Sequence, residues 1–183
     1  MPLLEIAHGA VDIDLRYATA DNITGRPIYG RALALLNAEA HAALARAADL
    51  AQAQGLRLRV FDAYRPVEAQ WRLWEALPDP AFVADPRTGS SHGRGAAVDL
   101  TLADACGRPL DMGTGFDEMT PRSHHGRTDI ARAAQANRAL LLGIMAAAGF
   151  AHYHGEWWHY NLPDAGRHPL LWDGAAGPRL MAP

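Results

Sequence analysis

The stretch that decides the fold of this 183-residue chain is SSHGRGAAVDLTL, residues 90–102. Its second half, residues 96–102, is small and apolar enough to predict a buried strand. Its first half contains two glycines and other small residues, which allow a tight turn into that strand and leave space beside it. His92 and Asp99 are seven residues apart in this unit. Both side chains can therefore reach one ion.

The sequence around this unit alternates between helix and strand patterns. Residues 56–61 alternate apolar and charged side chains and predict a strand, and a helix is predicted to follow over residues 66–76, with proline in its first turn. Two Ala-rich segments, residues 31–54 and 129–148, have apolar side chains at spacings of three and four. Each is followed by a glycine that suits a helix C-terminus. We therefore expect three helices.

The remaining segments predict strands and irregular loops. Residues 11–17 alternate as in a half-buried strand, and residues 150–162 form an aromatic and His-rich strand region with a hairpin near Gly155. Residues 77–89 are Pro-rich and predict an irregular excursion, and the tail from about residue 163 predicts no regular structure. Helices and strands mixed in this order favour an α+β fold: a single domain over residues 1–183, with an antiparallel sheet flanked by helices.

Composition excludes several classes of function. All seventeen basic side chains are Arg, so a Schiff-base lysine, a pyridoxal phosphate anchor and a Walker-type lysine are absent. The net charge is −3 and the basic residues are not clustered, which argues against nucleic acid or an anionic membrane as partner. Cys106 is the single cysteine, so any metal must be bound by His and carboxylate side chains.

The first residues lack the features of a secretory signal, and no apolar run approaches the roughly 20 residues of a membrane span. From the sequence we therefore expect a soluble, cytoplasmic protein with no membrane partner.

A second segment, GEWWHY at residues 155–160, completes a set of ligands. Glu156 and His159 are three residues apart, a spacing that places them on opposite sides of a regular strand. The aromatic residues favour extended structure, so we predict a bend or bulge beside Gly155 that brings both groups to one cleft. Residues 90–99 and 155–160 then supply two imidazoles, one carboxylate and one spare carboxylate. A hydrolytic zinc site needs three such ligands, a water and a nearby proton acceptor.

These segments resemble the zinc D-alanyl-D-alanine dipeptidases of the VanX type, within the wider group of zinc D,D-peptidases. The pattern Ser-x-His-x-x-Gly-x-Ala-x-Asp is met by residues 90–99, and the pattern Glu-x-x-His by residues 156–159. Further similar stretches lie at residues 14–19, 21–22, 61–66, 112–117 and 123–125. The resemblance spans most of the chain and implies hydrolysis of D-Ala-D-Ala to free D-alanine in a zinc cleft.

The resemblance also implies roles for individual residues. One zinc ion per chain would be bound by His92, Asp99 and His159. Glu156 would be the general base and later the proton donor. Arg65, in the segment 62–66, would stabilise the transition state, in which negative charge develops on the carbonyl oxygen.

The same resemblance implies a small substrate pocket. It places the free amino group of the dipeptide near Asp117, with Tyr17 and Ser90 lining the pocket. Because Glu118 follows directly, an alignment slip of one residue would transfer this role to it. The biological purpose stays open between resistance to glycopeptide antibiotics and recycling of cell-wall fragments.

Other functions compete with this interpretation. A D,D-carboxypeptidase would trim longer peptidoglycan peptides with the same metal site. A zinc-stabilised binding module would keep the metal without catalysis, although it would need neither Glu156 nor Arg65. Residues 89–93 also match Gly-x-Ser-x-Gly, which would make Ser91 the nucleophile of a serine hydrolase, but no strand–turn–helix pattern surrounds it.

Further polar residues have simpler interpretations. Arg65 can form a structural salt bridge with Asp62. The His pair at residues 124–125 precedes a helix, and we expect one of them to orient a neighbour by hydrogen bonding. His152 and His154 share one face of a strand and are candidates for a second metal, although a spacing of two is common by chance.

Overall fold

The computed structural model describes residues 2–175 and 177–181. Within them the helices are α1 (Ala38–Gln52), α2 (Val67–Ala76) and α3 (Arg132–Ala148). Short 3-10 turns lie at Arg16–Ala18, His92–Arg94, Pro121–Ser123 and Ala165–Arg167. The strands are β1 (Leu4–Glu5), β2 (Val11–Ile13), β3 (Leu35–Leu36), β4 (Arg57–Asp62), β5 (Ala97–Ala103), β6 (Ala151–His152) and β7 (His159–Asn161). No helix of this part of the chain has both the length and the apolarity to cross a membrane.

Five strands form the main sheet in the order β2-β4-β5-β7-β6, and β1 pairs with β3 in a separate ribbon. The predicted α+β fold is confirmed. The sheet is mixed rather than wholly antiparallel, because β2 and β4 are parallel while the other neighbours are antiparallel. The chain between β2 and β4 contains α1, and a parallel pair needs such a long connection.

Strand β5 lies at the centre of the sheet, as the small apolar residues of 96–102 predict for a buried strand. All seven of its residues are buried. Val98, Leu100 and Leu102 join the hydrophobic core together with α1 and α3. Because side chains alternate across a strand, Asp99 points to the opposite face, away from the two long helices.

Several predicted boundaries differ from the structure. The helix predicted over 31–54 begins only at Ala38, because Leu35–Leu36 pairs with β1 and the Asn37 side chain accepts a hydrogen bond from the backbone N–H of Ala40, 2.9 Å away. This is a regular N-cap. The strand predicted over 11–17 ends at Ile13 and is followed by a 3-10 turn. The helix predicted over 129–148 begins at Arg132.

The predicted strand region 150–162 is extended only at its two ends. β6 and β7 form an antiparallel hairpin, and residues 153–158 connect them through turns. The loop of this hairpin is therefore longer, and its strands are shorter, than the aromatic composition predicts. As predicted, residues 77–89 contain no helix or strand, and the described part of the tail contains only one 3-10 turn.

Candidate metal centre and catalytic cleft

Two of the predicted ligands face each other across neighbouring strands. Asp99 of β5 is the direct partner of His159, the first residue of β7. Side chains of directly opposed residues stand side by side on the same face of a sheet. Sheet register therefore brings together two residues that are 60 positions apart in the sequence.

The third predicted ligand, His92, reaches the same point from the turn before β5. This 3-10 turn ends at Gly95, which has a left-handed φ of 60°. The Nδ1–H of His92 donates a hydrogen bond to the carbonyl oxygen of Ala63, 2.6 Å away. With that nitrogen protonated, Nε2 carries the free lone pair that a metal needs.

Three donor atoms converge at the resulting site. His92 Nε2 lies 3.1 Å from His159 Nδ1 and 3.3 Å from Asp99 Oδ1, and His159 Nδ1 lies 3.0 Å from Asp99 Oδ1. Donors on a tetrahedral zinc ion, about 2.0–2.1 Å from the metal, are about 3.3 Å apart. Among the described residues, only His92, Asp99 and His159 form a set of three or more His, Cys or carboxylate side chains whose donor atoms are close enough together to bind one ion. The donor set fits a metal.

The electrostatics of the three residues agree with this arrangement. Burial by itself would raise the pKa of Asp99, but the imidazoles of His92 and His159 outweigh it and hold that pKa well below its usual range. Burial would lower the pKa of His159, but the hydrogen bond and charge of Asp99, together with Glu156, raise it. Two imidazoles therefore share one carboxylate, and a divalent cation can bind these three donors in place of protons.

Glu156 lies in the loop between β6 and β7 and lines the same cleft as His159. Turns on both sides of Glu156 bring the two groups together, in the place where the sequence predicts a bend beside Gly155. Burial raises the pKa of Glu156, the charge of His159 opposes this and that of Asp99 adds to it, and the resulting pKa is about 7. A carboxyl group with this pKa can both accept and release a proton near neutral pH.

Arg65 is held rigidly at the wall of the cleft. Its Nε donates to Asp62, 2.8 Å away, its Nη1 donates to Gln70, 3.0 Å away, and its Nη2 lies 3.5 Å from a carboxylate oxygen of Asp99. The salt bridge with Asp62 is therefore present, and it anchors a guanidinium that also lines the cleft. Asp62 is fully buried and accepts a second hydrogen bond from the hydroxyl of Tyr29, 2.8 Å away.

The predicted substrate residues lie together in this cleft. The hydroxyl of Tyr17 donates to Asp117, 2.9 Å away, and Ser90 lines the same cavity. Burial, reinforced by the charge of Asp99, raises the pKa of Asp117 to about 8. Asp117 also has a left-handed φ of 57°, which is uncommon outside glycine and occurs at functional positions. Glu118 is exposed and instead accepts a hydrogen bond from the backbone of Gly115.

The cleft has a volume of about 320 Å³, at the small end of the range for ligand pockets. Part of its lining has no motif in the sequence. Residues 80–84 of the irregular segment, Tyr153 of the hairpin loop and Asn161 of β7 all contribute. Tyr29 and Gln70, which support Asp62 and Arg65, have no motif either, whereas the sequence does predict the salt bridge between Arg65 and Asp62. Asp62 does lie within the stretch 61–66 that carries the family resemblance.

Ser91 lies near the metal ligands without the surroundings of a serine nucleophile. Its hydroxyl oxygen is 3.4 Å from His159 Nε2, and His159 in turn contacts Asp99. However, Ser91 precedes a 3-10 turn and β5, whereas a nucleophile elbow connects a strand to a helix. The close approach of His92 to the other nitrogen of His159 also favours a metal over a triad.

Comparison with known proteins places the chain among dipeptidases. A family model described as D-ala-D-ala dipeptidase, peptidase M15, matches residues 1–173. The chain is 52% identical over 163 residues to the D-alanyl-D-alanine dipeptidase of Escherichia coli (strain K12), covering 89% of this chain and 84% of that protein. It is 41% identical to the D-alanyl-D-alanine dipeptidase of Streptomyces coelicolor, and the match covers 82% of this chain and 85% of that protein. It is 37% identical to the D-alanyl-D-alanine dipeptidase of Enterococcus faecium, and that match covers 87% of this chain and 89% of that protein.

Proposed function

Because the chain belongs to the peptidase M15 family of D-Ala-D-Ala dipeptidases, which are metallopeptidases, we propose that it hydrolyses D-Ala-D-Ala to two molecules of D-alanine with one zinc ion. The observation that carries this proposal is the convergence of three donor atoms, from His92, Asp99 and His159, within 3.0–3.3 Å of one another. Glu156 and Arg65 line the same cleft. Holding a metal alone would require neither of them.

Zinc at these ligands would polarise the scissile carbonyl group and lower the pKa of a water molecule to about 7. The Glu156 carboxylate would accept a proton from a water molecule in the cleft as the water oxygen attacks the carbonyl carbon. The same carboxyl group releases the proton to the amide nitrogen as the carbon–nitrogen bond breaks. One D-alanine leaves with the new amino group, and the other with the new carboxylate.

Arg65 faces the negative charge that develops on the carbonyl oxygen during attack. Its three contacts to Asp62, Gln70 and Asp99 fix the guanidinium before substrate binds. Such preorganisation avoids the cost of reorienting a flexible cation during the reaction. The burial of Arg65 keeps this charge out of bulk water, where it would be screened.

The substrate is proposed to be an unblocked dipeptide, because Asp117 lines the cleft and can pair with a free amino group. Asp117 and Tyr17 form one wall of the cleft, and an ammonium ion beside Asp117 would lower the pKa of that carboxyl and keep it ionised. A longer peptide has an amide at this position and cannot form the ion pair. This distinguishes a dipeptidase from a D,D-carboxypeptidase.

Release of D-alanine from D-Ala-D-Ala by the purified, zinc-loaded protein tests this proposal. We expect turnover that is lost with chelator, restored by zinc, and lost when the dipeptide is N-acetylated. Activity confined to the acetylated or longer peptide would instead identify a D,D-carboxypeptidase. Inhibition by serine-directed phosphonates together with insensitivity to chelator would overturn the metal mechanism.

A further inference from the structure

Four of the nine histidines of the chain lie together outside the catalytic cleft. We call this group the rear histidine cluster: His124, His125, His152 and His154. His152 is the strand partner of Tyr160, whose side chain is in the core that α1 and α3 share. Because strand neighbours alternate in direction, these side chains lie on the opposite face of the hairpin from His159. The proposed reaction uses none of them.

The rings of the rear histidine cluster are paired. The ring centroids of His125 and His152 are 4.8 Å apart with an interplanar angle of 72°. The corresponding values for the proposed catalytic ligands, His92 and His159, are 4.9 Å and 65°. Two imidazoles on one tetrahedral ion, with nitrogen–metal distances of about 2 Å, have ring centroids about 5 Å apart. The rear pair therefore has the same ring spacing as the pair in the cleft.

His125 has the properties of a prepared ligand. It is 9% exposed, and its Nε2 is buried without a hydrogen-bond partner in the described part of the chain. The backbone of Glu156 lies beside the same ring. Burial, together with the nearby charges of His152, Arg138 and His154, lowers the pKa of His125 to about 4. The ring is therefore neutral at pH 7, which metal binding requires.

We infer that the rear histidine cluster is a second binding site for a divalent transition-metal ion, with His125 and His152 as its first two ligands. Imidazole suits zinc, copper and nickel and is a poor ligand for magnesium or calcium. His154 is exposed and lies beside this pair, but among the described residues no third His, Cys or carboxylate donor converges with the two rings, so water completes the coordination. His124 packs on His154, with ring centroids 5.7 Å apart.

An ion at this site would connect two segments that meet through few bonds. The backbone N–H of His125 donates to the carbonyl oxygen of His154, 2.9 Å away. A metal shared by His125 and His152 would add a further link between the segment after the third 3-10 turn and the β6–β7 hairpin. That hairpin carries Glu156 and His159, so the rear ion would stabilise the support of the cleft.

Zinc stoichiometry and calorimetry test this inference. Protein that already holds one equivalent of zinc is titrated with further zinc alone, and bound metal is counted after equilibrium dialysis. We expect a second, weaker equivalent and a rise in melting temperature as it binds. In His152→Gln the second equivalent should bind at least about tenfold more weakly. His152 is exposed, so this variant should fold normally.

His41→Gln is the matched control, because His41 lies in α1, away from both sites. It should bind two equivalents with unchanged affinities. Binding of only one zinc by the unaltered protein would overturn the inference and leave water as the partner of His125 Nε2. An unchanged second affinity in His152→Gln would place the second ion elsewhere on the surface and overturn it equally.

Discussion

Individual side chains of the cleft are each oriented by a second contact. The carbonyl oxygen of Ala63 fixes the ring of His92, and Asp62 and Gln70 fix the guanidinium of Arg65. Burying a polar group costs little free energy when the group is hydrogen-bonded in this way. Removing one partner leaves the other buried and unpaired, which destabilises the fold. The chemistry of the site therefore depends on Ala63, Asp62 and Gln70 as well as on the side chains that face the substrate.

At the residue scale, Glu156→Gln should separate metal binding from catalysis. The variant keeps the size of the side chain but cannot accept the proton, so we expect kcat to fall by about 10²–10⁴-fold. Zinc content should remain at the level of the unaltered protein, because Glu156 is not among the three converging ligands. Glu75→Gln, at an exposed position of α2, is the control. Undiminished turnover in zinc-loaded Glu156→Gln would remove the proposed base.

A second prediction at this scale concerns acid stability. Burial lowers the pKa of His125 from 6.5 to about 4, so between these values the unfolded chain binds a proton that the folded chain does not. Stability should therefore fall as pH decreases through this window and be fully present above it. Allowing for partial solvent exposure, the loss is about 1–3 kcal/mol.

Urea unfolding between pH 7 and 4, in chelator so that no metal occupies the imidazoles, measures this loss. Other carboxyl and histidine groups also titrate in this range, so the comparison is with His125→Gln. That variant should show a shallower decrease in its free energy of unfolding. Identical slopes for the two proteins would show that His125 is not buried in its neutral form.

At the scale of elements, the turn before β5 holds His92 against Asp99. Gly95 has a φ of 60°, and a Cβ atom there would lie 2.6 Å from the side chain of Leu3 and 3.0 Å from the backbone nitrogen of Asn37. Gly95→Ala should therefore cost about 1–3 kcal/mol of stability. Because the turn positions His92, metal affinity should fall as well.

Gly143→Ala is the control for this change. Gly143 is an exposed residue of α3 with no atom within 4 Å of an added Cβ. There the same substitution should raise stability by about 0.5–1 kcal/mol, because alanine favours the helix. Chemical denaturation and zinc titration of both variants compare the two sites. Equal stabilities and zinc affinities would show that the turn does not constrain His92.

At the scale of the whole molecule, the irregular tail supports the cleft from outside. The backbone N–H of Leu171 donates to the carbonyl oxygen of Gly93, 2.8 Å away, and the hydroxyl of Tyr64 donates to the carbonyl oxygen of Trp172, 3.0 Å away. Leu180 is fully buried in a second hydrophobic cluster that includes Tyr17. The tail thus packs behind a residue proposed to bind substrate.

Leu180→Ala should lower the free energy of unfolding by about 2–5 kcal/mol, because it leaves a cavity in this cluster. Leu50→Ala, at a position that is 39% exposed, should change it much less. Since Tyr17 packs in the same cluster, we also expect the Leu180 variant to raise KM for the dipeptide. Thermal melts and steady-state kinetics check both effects. Matching melting temperatures would mean that the tail contributes no packing energy.

The sequence by itself determined the local features of the protein. The spacing of His92 and Asp99, and that of Glu156 and His159, is a property of short segments. So are the buried strand at 96–102 and the approximate C-terminal ends of the long helices. These features depend on side-chain periodicity and turn residues, which act over a few positions.

Only the tertiary structure decided which distant residues meet. The register that opposes Asp99 to His159, the parallel pairing of β2 with β4 and the hydrogen bond from Tyr29 to Asp62 all join segments far apart in the chain. Helix α1 also begins later than the sequence predicts, because residues 35–36 pair with β1 instead of continuing the helical pattern of residues 31–37. Long-range hydrogen bonds and packing decide such cases, and local propensity does not encode them.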